Sequence, residues 1–406
     1  MRVDEVNKTD CTGCRACEHI CPKHCITMKA DAEGFLYPFA DESACINCGL
    51  CFQRCPQTFL TIPPNAFPAP LVYAAKLRDR TVLLKSSSGG IFTALAQSVL
   101  DRNGVVFGCV FDKGMHAIHT ASQDIAGTYP MRGSKYVQSD TGDTYVQSKQ
   151  LLDGGRIVLY TGCPCQIAGL RSYLGRDYPN LLAIDLVCHG APSPKLFAKY
   201  LMWLEKKYKS KIFSYEFRHK GKNGWGMGLR VRMKKGEHIF VREPIAALDP
   251  YMSSFLEART YRSSCYACHY ATKKRTGDIT AADYWGIERF HPEFYDACGV
   301  SLVLVNTSKG TELFKSISGK IESLNSTFEN ASNMNTNLYR SAQKPADRDL
   351  IYADIDILDF EAITRRYLRP SLPKITLILL KASVPRAMKK QIKKTLRFFT
   401  RRKDSL

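Results

Sequence analysis

The 406-residue chain has no run of 18 apolar residues. That excludes an ordinary membrane-spanning helix. Its opening stretch, MRVDEVNKTDCTGC, has no apolar h-region. No secretory signal is expected there, and the cytoplasm is the expected compartment. Acidic residues are outnumbered, 38 against 58 Lys and Arg, for a formal net charge of +20. Half of that excess is local: residues 371–406 hold eleven Lys/Arg and one Asp. The remaining body is only moderately basic, so no nucleic-acid partner is expected.

Cysteine, by contrast, is abundant. Nine of the sixteen fall in the first 55 residues, and six of the other seven lie between 163 and 298. In a reducing compartment such clusters are metal ligands or redox groups more often than disulfides. CTGCRACEHICP places Cys11, Cys14, Cys17 and Cys21 before Pro22. CINCGLCFQRCP places Cys45, Cys48, Cys51 and Cys55 before Pro56. Each run is C-x2-C-x2-C-x3-C-P, the spacing of bacterial two-cluster ferredoxins. Three cysteines on one loop reach three irons of a cubane, and the fourth begins a helix leading to the other cubane. Cys11, Cys14, Cys17 and Cys55 are therefore expected to hold one [4Fe–4S] cluster. Cys45, Cys48, Cys51 and Cys21 are expected to hold the second. A zinc ribbon uses two CxxC pairs instead. Cys25 reads as a packed thiol. Residues 1–60 thus form a ferredoxin-type domain that carries single electrons and needs a partner site elsewhere.

TIPPNAFPAP, residues 61–70, has four prolines and reads as a stiff linker. The main domain is expected from 71 to 330. Its first feature is KSSSGGIFTALA, where Ser86, Ser87, Ser88, Gly89 and Gly90 precede an apolar-periodic helix. Small residues there allow backbone N–H groups to approach a phosphate. A plain capped helix fits equally well. MRGSKYVQS adds Arg132, Ser134, Lys135 and Tyr136, a solvated loop or further contacts to a nucleotide-like cofactor. VVFGCVF reads as a strand with Cys109 as a core thiol. Strand and helix then alternate, which argues an α/β sheet with ligands beyond the strand carboxyl ends. Cys163, Cys165, Cys188 and His189 all follow such ends. Around 212–243 shorter β-like runs flank a Gly-rich loop with Trp225 as a candidate lid.

CYACH supplies Cys265 and Cys268. A lone CxxC suits zinc, disulfide exchange or iron–sulfur chemistry. Cys165, Cys188, Cys265 and Cys268 make a set of four, a count that suits zinc or a third [4Fe–4S] cluster; the electron-carrying module favours iron–sulfur. KSSSGGIFTALA, GSKYVQS, GCPCQIAGL, DLVCHGAPSP, FRHKGKNGWG, CYACHYATKKRTGDITAADYWGI and GVSLVLVNTSKG occur in this order. Together they resemble the coenzyme F420 hydrogenase/dehydrogenase β-subunit family over about 71–315. The resemblance implies an FAD held by Ser86–Gly90 and Ser134–Tyr136. It implies a third [4Fe–4S] cluster on Cys165, Cys188, Cys265 and Cys268, with Cys163 as a neighbour. The expected fold class is α+β: a ferredoxin-like module, a larger α/β flavin-binding domain, and over 331–406 a helical segment with a basic amphipathic tail.

That tail combines eleven cations with Leu377, Leu379, Leu380, Leu396, Phe398 and Phe399. It suits an anionic membrane surface, an acidic partner protein, or an exposed helix without a fixed role. The expected activity is that of an iron–sulfur flavin-dependent oxidoreductase relaying electrons to or from a hydride-type acceptor. Its partner is a redox protein or a small-molecule donor or acceptor. The alternatives are a non-catalytic electron-transfer subunit and an accessory protein of surface-polysaccharide biosynthesis.

Overall fold

Seven consecutive buried residues, Ser301–Thr307, mark the middle of the molecule. A strand buried on both faces lies inside a sheet covered on both sides. The computed structural model describes residues 2–58, 61–221, 224–370 and 372–383. In the N-terminal module, β1 (Ile26–Ala30) and β2 (Leu36–Ala40) form an antiparallel hairpin. Five strands follow in chain order: β3 (Ala66–Leu77), β4 (Val105–Phe111), β5 (Ala117–Ser122), β6 (Val158–Gly162) and β7 (Leu181–Leu186). The chain then leaves for a separate three-stranded antiparallel sheet: β8 (Lys211–Glu216), β9 (Arg230–Lys235) and β10 (His238–Arg242). It returns with β11 (Ile279–Asp283), β12 (Ser301–Thr307) and β13 (Ile321–Ser326).

The large sheet has eight strands in the order β13-β3-β12-β11-β7-β6-β4-β5. Its centre, β4, β6, β7 and β11, is parallel. The flanks β5, β12, β3 and β13 run antiparallel to their neighbours. The helix Pro164–Leu174 crosses over between β6 and β7, as parallel neighbours require. Alternation of side chains serves both faces. Val106 and Val110 pack with Ile91, Leu95 and Val99 on one side. Val105, Phe107 and Tyr160 pack with Ile167 and Leu170 on the other. The small sheet closes an aromatic core with the helix Pro194–Tyr208, around Phe197, Tyr200, Tyr215 and Tyr251.

The proline-rich stretch differs from its reading as a linker. Residues 66–70 already belong to β3. Pro68 and Pro70 are tolerated because β13 pairs with β3 only from Val72 onward, and the β12 register shifts between Val305 and Thr307. Proline lacks the N–H that a fully paired strand would use. The ferredoxin module is also docked rather than tethered. Arg15 grips Asp140 through two bonds of 2.5 and 2.7 Å. Ser172 donates to the Arg54 carbonyl at 2.6 Å, and Tyr270 to that of Pro56 at 3.0 Å. Buried Arg348 pairs with Glu33 of the module.

At the other end, Leu372–Ser383 is helical and pairs Lys374 with Glu257. Leu377, Leu379 and Leu380 are exposed. Leu396, Phe398, Phe399 and nine of the eleven tail cations lie outside the described residues. Among the described residues no helix is long and apolar enough to cross a membrane.

Candidate cluster and cofactor site

The parallel strands β4, β6, β7 and β11 end on one edge of the large sheet. A cavity of about 320 Å³ opens there. This falls within the roughly 300–1,000 Å³ of small-molecule sites. Its wall takes in the β6–helix turn, the loop after β7, the end of β11, the Ser86–Gly90 loop and the Met131–Ser139 loop. Cys165, Cys188, Cys265 and Cys268 all line it. So do Ser86, Ser87, Ser88, Gly90, Ser134, Lys135 and Tyr136. Residues singled out for two different groups therefore share one space.

The cysteines act on one another. Burial raises the Cys165 pKa, and Cys188, Cys268 and Cys265 raise it further by their charge. Burial, then Cys188, pushes Cys265 up to about 12. Cys163 also belongs to this group. Its hydrogen bond with Cys188 raises its own pKa and lowers that of Cys188. These five thiols thus share one space. In the N-terminal module, burial and the charges of Cys14, Cys11 and Cys55 raise Cys17. Burial likewise raises Cys51, with Cys21 and Cys48 adding to the shift. The structure therefore gathers Cys11, Cys14, Cys17 and Cys55 into one group, and Cys21, Cys45, Cys48 and Cys51 around a small second cavity. Cys25 joins the latter, its Sγ 3.4 Å from that of Cys21. Among the described residues no three His, Cys, Asp or Glu side chains are drawn up around a single-ion position.

The N-terminal module reaches the cavity through Thr12 and Gly13, between Cys11 and Cys14. Cys14 packs on the helix Pro164–Leu174 at Gly169. A Cβ on Gly169 would lie 2.8 Å from the Cys14 Cβ and 3.0 Å from its Sγ. Cys14 also contributes to the raised pKa of Cys165. Glycine lets Cys14 lie close against the helix that carries Cys165.

The Ser86–Gly90 loop is built differently from a plain phosphate cradle. Ser86 donates to the Val82 carbonyl and Ser88 to that of Val300, each at 2.8 Å. Gly89 does not line the cavity. It is wedged against β3 and β12, where a Cβ would lie 2.6 Å from the Ser301 nitrogen and collide with the Ala75 carbonyl. Gly89→Ala is expected to cost about 1–3 kcal/mol, the usual range for overpacking, measured by denaturant unfolding. The loop's carbonyls are gripped from behind. Buried Lys220 donates to Leu83 and Ser88 at 2.7 and 2.6 Å. Desolvation lowers its pKa to about 8.

Arg218 holds the other side. It binds both oxygens of Asp283 at 2.6 and 2.7 Å, the Ser87 carbonyl at 3.2 Å and the Tyr136 hydroxyl at 3.1 Å. Asp283 also accepts from Trp225 Nε1 at 2.6 Å, while Trp225 stacks on Trp285 with ring centres 5.0 Å apart. Trp225, suggested by the sequence as a lid, is tied in this structure to Asp283 and Trp285. Arg218, Lys220 and Asp283 were missed as site residues. The FRHK run and the end of a strand were their only sequence marks.

Lys135 is tied up within its own loop. Its Nζ donates to the carbonyls of Pro130, Arg132 and Gly133 at 2.6, 3.0 and 3.2 Å. Desolvation lowers its pKa to about 8. It shapes the loop. Arg132 Nε and Ser264 Oγ, on residues that line the cavity, are buried without a hydrogen-bond partner. Cys109, expected as a core thiol, also lines the space. His189 faces it, and enclosure lowers its pKa, with Asp283 opposing.

Two ferredoxin-type cysteine groups, docked on a mixed-sheet domain with a third group in its cavity, define an iron–sulfur protein of the electron-transferring oxidoreductase class. Residues 10–60 match the 4Fe-4S dicluster domain, and residues 155–327 match the C terminus of the coenzyme F420 hydrogenase/dehydrogenase beta subunit. Over residues 155–327 the chain carries the C-terminal domain of the coenzyme F420 hydrogenase/dehydrogenase β-subunit family, with a 4Fe-4S dicluster domain at its N-terminal end. An uncharacterized ferredoxin from Methanocaldococcus jannaschii is 35% identical over 57 residues, covering 14% of this chain and 73% of that protein. A chain from the F420-reducing [NiFe] hydrogenase complex of Methanosarcina barkeri is 17% identical with a TM-score of 0.43. That match covers 66% of this chain and 85% of the other, and at this level it carries no feature across.

Proposed function

We propose that the chain is an iron–sulfur flavoenzyme that relays electrons between [4Fe–4S] clusters and FAD, to or from a hydride-type organic acceptor. One observation carries this reading. The third cysteine group and the Ser86–Gly90 and Ser134–Tyr136 loops line the same cavity, and Cys14 of the ferredoxin module packs on the helix that carries Cys165.

The donor sets fit the groups assigned to them. Each cluster position offers soft sulfur ligands, which suit iron–sulfur centres. The cavity also offers what a flavin nucleotide needs. Arg132 Nε is a donor without a protein partner, and the Tyr136 ring is held by stacking on Phe255 at 4.2 Å. A flavin handles both one and two electrons, so it joins single-electron clusters to a hydride-type acceptor. The chain's own part is positional. Arg218 and Lys220 fix the serine loop through its carbonyls. The helix Pro164–Leu174 brings Cys165 to the cavity on the same side as Cys14. The docked module keeps the first cysteine group against that helix.

Anaerobic purification followed by iron and flavin analysis tests the reading. Three [4Fe–4S] clusters predict about twelve irons, with one FAD per chain. About eight irons and no flavin would refute it.

A further inference from the structure

Five arginines are buried among the described residues: Arg171, Arg218, Arg262, Arg275 and Arg348. Four have a carboxylate. Arg171 pairs with Asp278 at 3.0 Å, Arg218 with Asp283 at 2.6 Å and Arg275 with Asp185 at 3.2 Å; Arg348 pairs with Glu33. Arg262, at 1% exposure, is the exception. Among the described residues no carboxylate pairs with it. A buried cation without an anion is strongly disfavoured.

What surrounds Arg262 is the first N-terminal cysteine group. Its Nε donates to the Cys11 carbonyl at 2.8 Å, and its Nη2 reaches the Cys11 sulfur at 3.7 Å. Nη2 also donates to the Leu36 carbonyl at 2.9 Å, and Nη1 to Gln138 Oε1 at 3.2 Å. The guanidinium lies over the Tyr37 ring at 4.1 Å and is held rigidly. On its own segment, the Arg262 carbonyl accepts from the Cys265 N–H at 2.9 Å. The cation therefore stands between the Cys11 group and the third cysteine group.

We propose that Arg262 is a positioning residue for electron transfer: its guanidinium is the buried counter-charge of the cluster held through Cys11, and it raises that cluster's reduction potential. The proposal rests on a [4Fe–4S] cluster being present there. A thiolate-ligated cubane becomes more negative on reduction, so a fixed adjacent cation favours the reduced form. Net charge and hydrogen bonds to sulfur are the protein's levers on cluster potential. Single-electron exchange is the chemistry the clusters would supply: an electron lost by the one held through Cys45, Cys48 and Cys51 would be gained by the one held through Cys11. Arg262 biases it towards the body of the chain.

The test is an EPR-monitored redox titration of the anaerobic full-length chain, with Arg262→Gln and Gln138→Glu as variants. Arg262→Gln removes the charge. Gln138→Glu sets a carboxylate against Nη1 and gives up the Nε2 bond to the Thr12 carbonyl at 3.0 Å; with iron content unchanged, it decides the matter if Arg262→Gln does not fold. Each variant is expected to lower the Cys11 cluster's reduced-to-oxidised ratio at least tenfold at fixed potential, a midpoint shift of ~59 mV. The Cys45–Cys48–Cys51 cluster should not move, and iron content should stay at the wild-type level. An unshifted Cys11 cluster in iron-replete variants overturns the proposal and leaves the cluster reading intact. A wild-type chain without cluster signals refutes the cluster reading itself.

Discussion

Replacing Cys165 with alanine is expected to remove about four of about twelve irons and to stop flavin reduction through the N-terminal module. Cys165 is the cysteine whose charge neighbours include Cys188, Cys268, Cys265 and, across the module boundary, Cys14. Its loss opens both the third group and the approach between groups. Cys163→Ala is the matched control. Cys163 faces Cys188 and opens the helix Pro164–Leu174 in a capping box, one bond of which runs from its backbone N–H to Gln166 Oε1 at 2.9 Å. Alanine keeps that bond, so the helix and its Cys165 stay in place. Iron analysis with absorbance-monitored reduction checks both variants. Iron loss in Cys163→Ala with retention in Cys165→Ala would reverse the ligand assignment.

The second large effect is expected at Arg218. Arg218→Met leaves the Asp283 carboxylate unpaired in a site where Arg218 is 2% and Asp283 13% exposed. Breaking such a pair from one side costs about 3–5 kcal/mol. The variant also frees the Ser87 carbonyl and the Tyr136 hydroxyl. It should unfold at lower denaturant and bind flavin at least about tenfold more weakly, about 1.4 kcal/mol. The double variant Arg218→Met/Asp283→Leu separates the two consequences. Replacing both charges with apolar groups should restore most of the stability. Flavin affinity should remain low, because the serine loop is still released. Full recovery of flavin binding in the double variant would show that Arg218 acts through stability alone.

The ferredoxin module was readable because its information is local. Cys11 to Cys21 and Cys45 to Cys55 each fit within eleven residues, and the spacing itself encodes the chemistry. The alternation of β6, its helix and β7 was legible for a similar reason, since period and turn residues mark each element. The second half of the site was not. Arg218 meets Asp283 across 65 positions and Ser87 across 131. Arg262 meets Cys11 across 251. Nothing in the sequence near any of these residues announces its partner. Gly89 shows the opposite failure. Its smallness suggested a phosphate cradle, but two strands crowd it from behind. Pro68 and Pro70 suggested a linker because the rule against proline applies to fully paired strands, and theirs fall in an irregular stretch between the Ala66 and Leu71 pairings with β12.

The most direct test of the account is electron delivery across the module boundary. A one-electron donor is mixed anaerobically with the flavin-loaded full-length chain, and cluster and flavin absorbance are followed together. The account predicts that the clusters reduce first and the flavin band then bleaches, and that Cys165→Ala abolishes the bleaching while the two N-terminal clusters still reduce. Flavin bleaching that proceeds equally well in Cys165→Ala would contradict it.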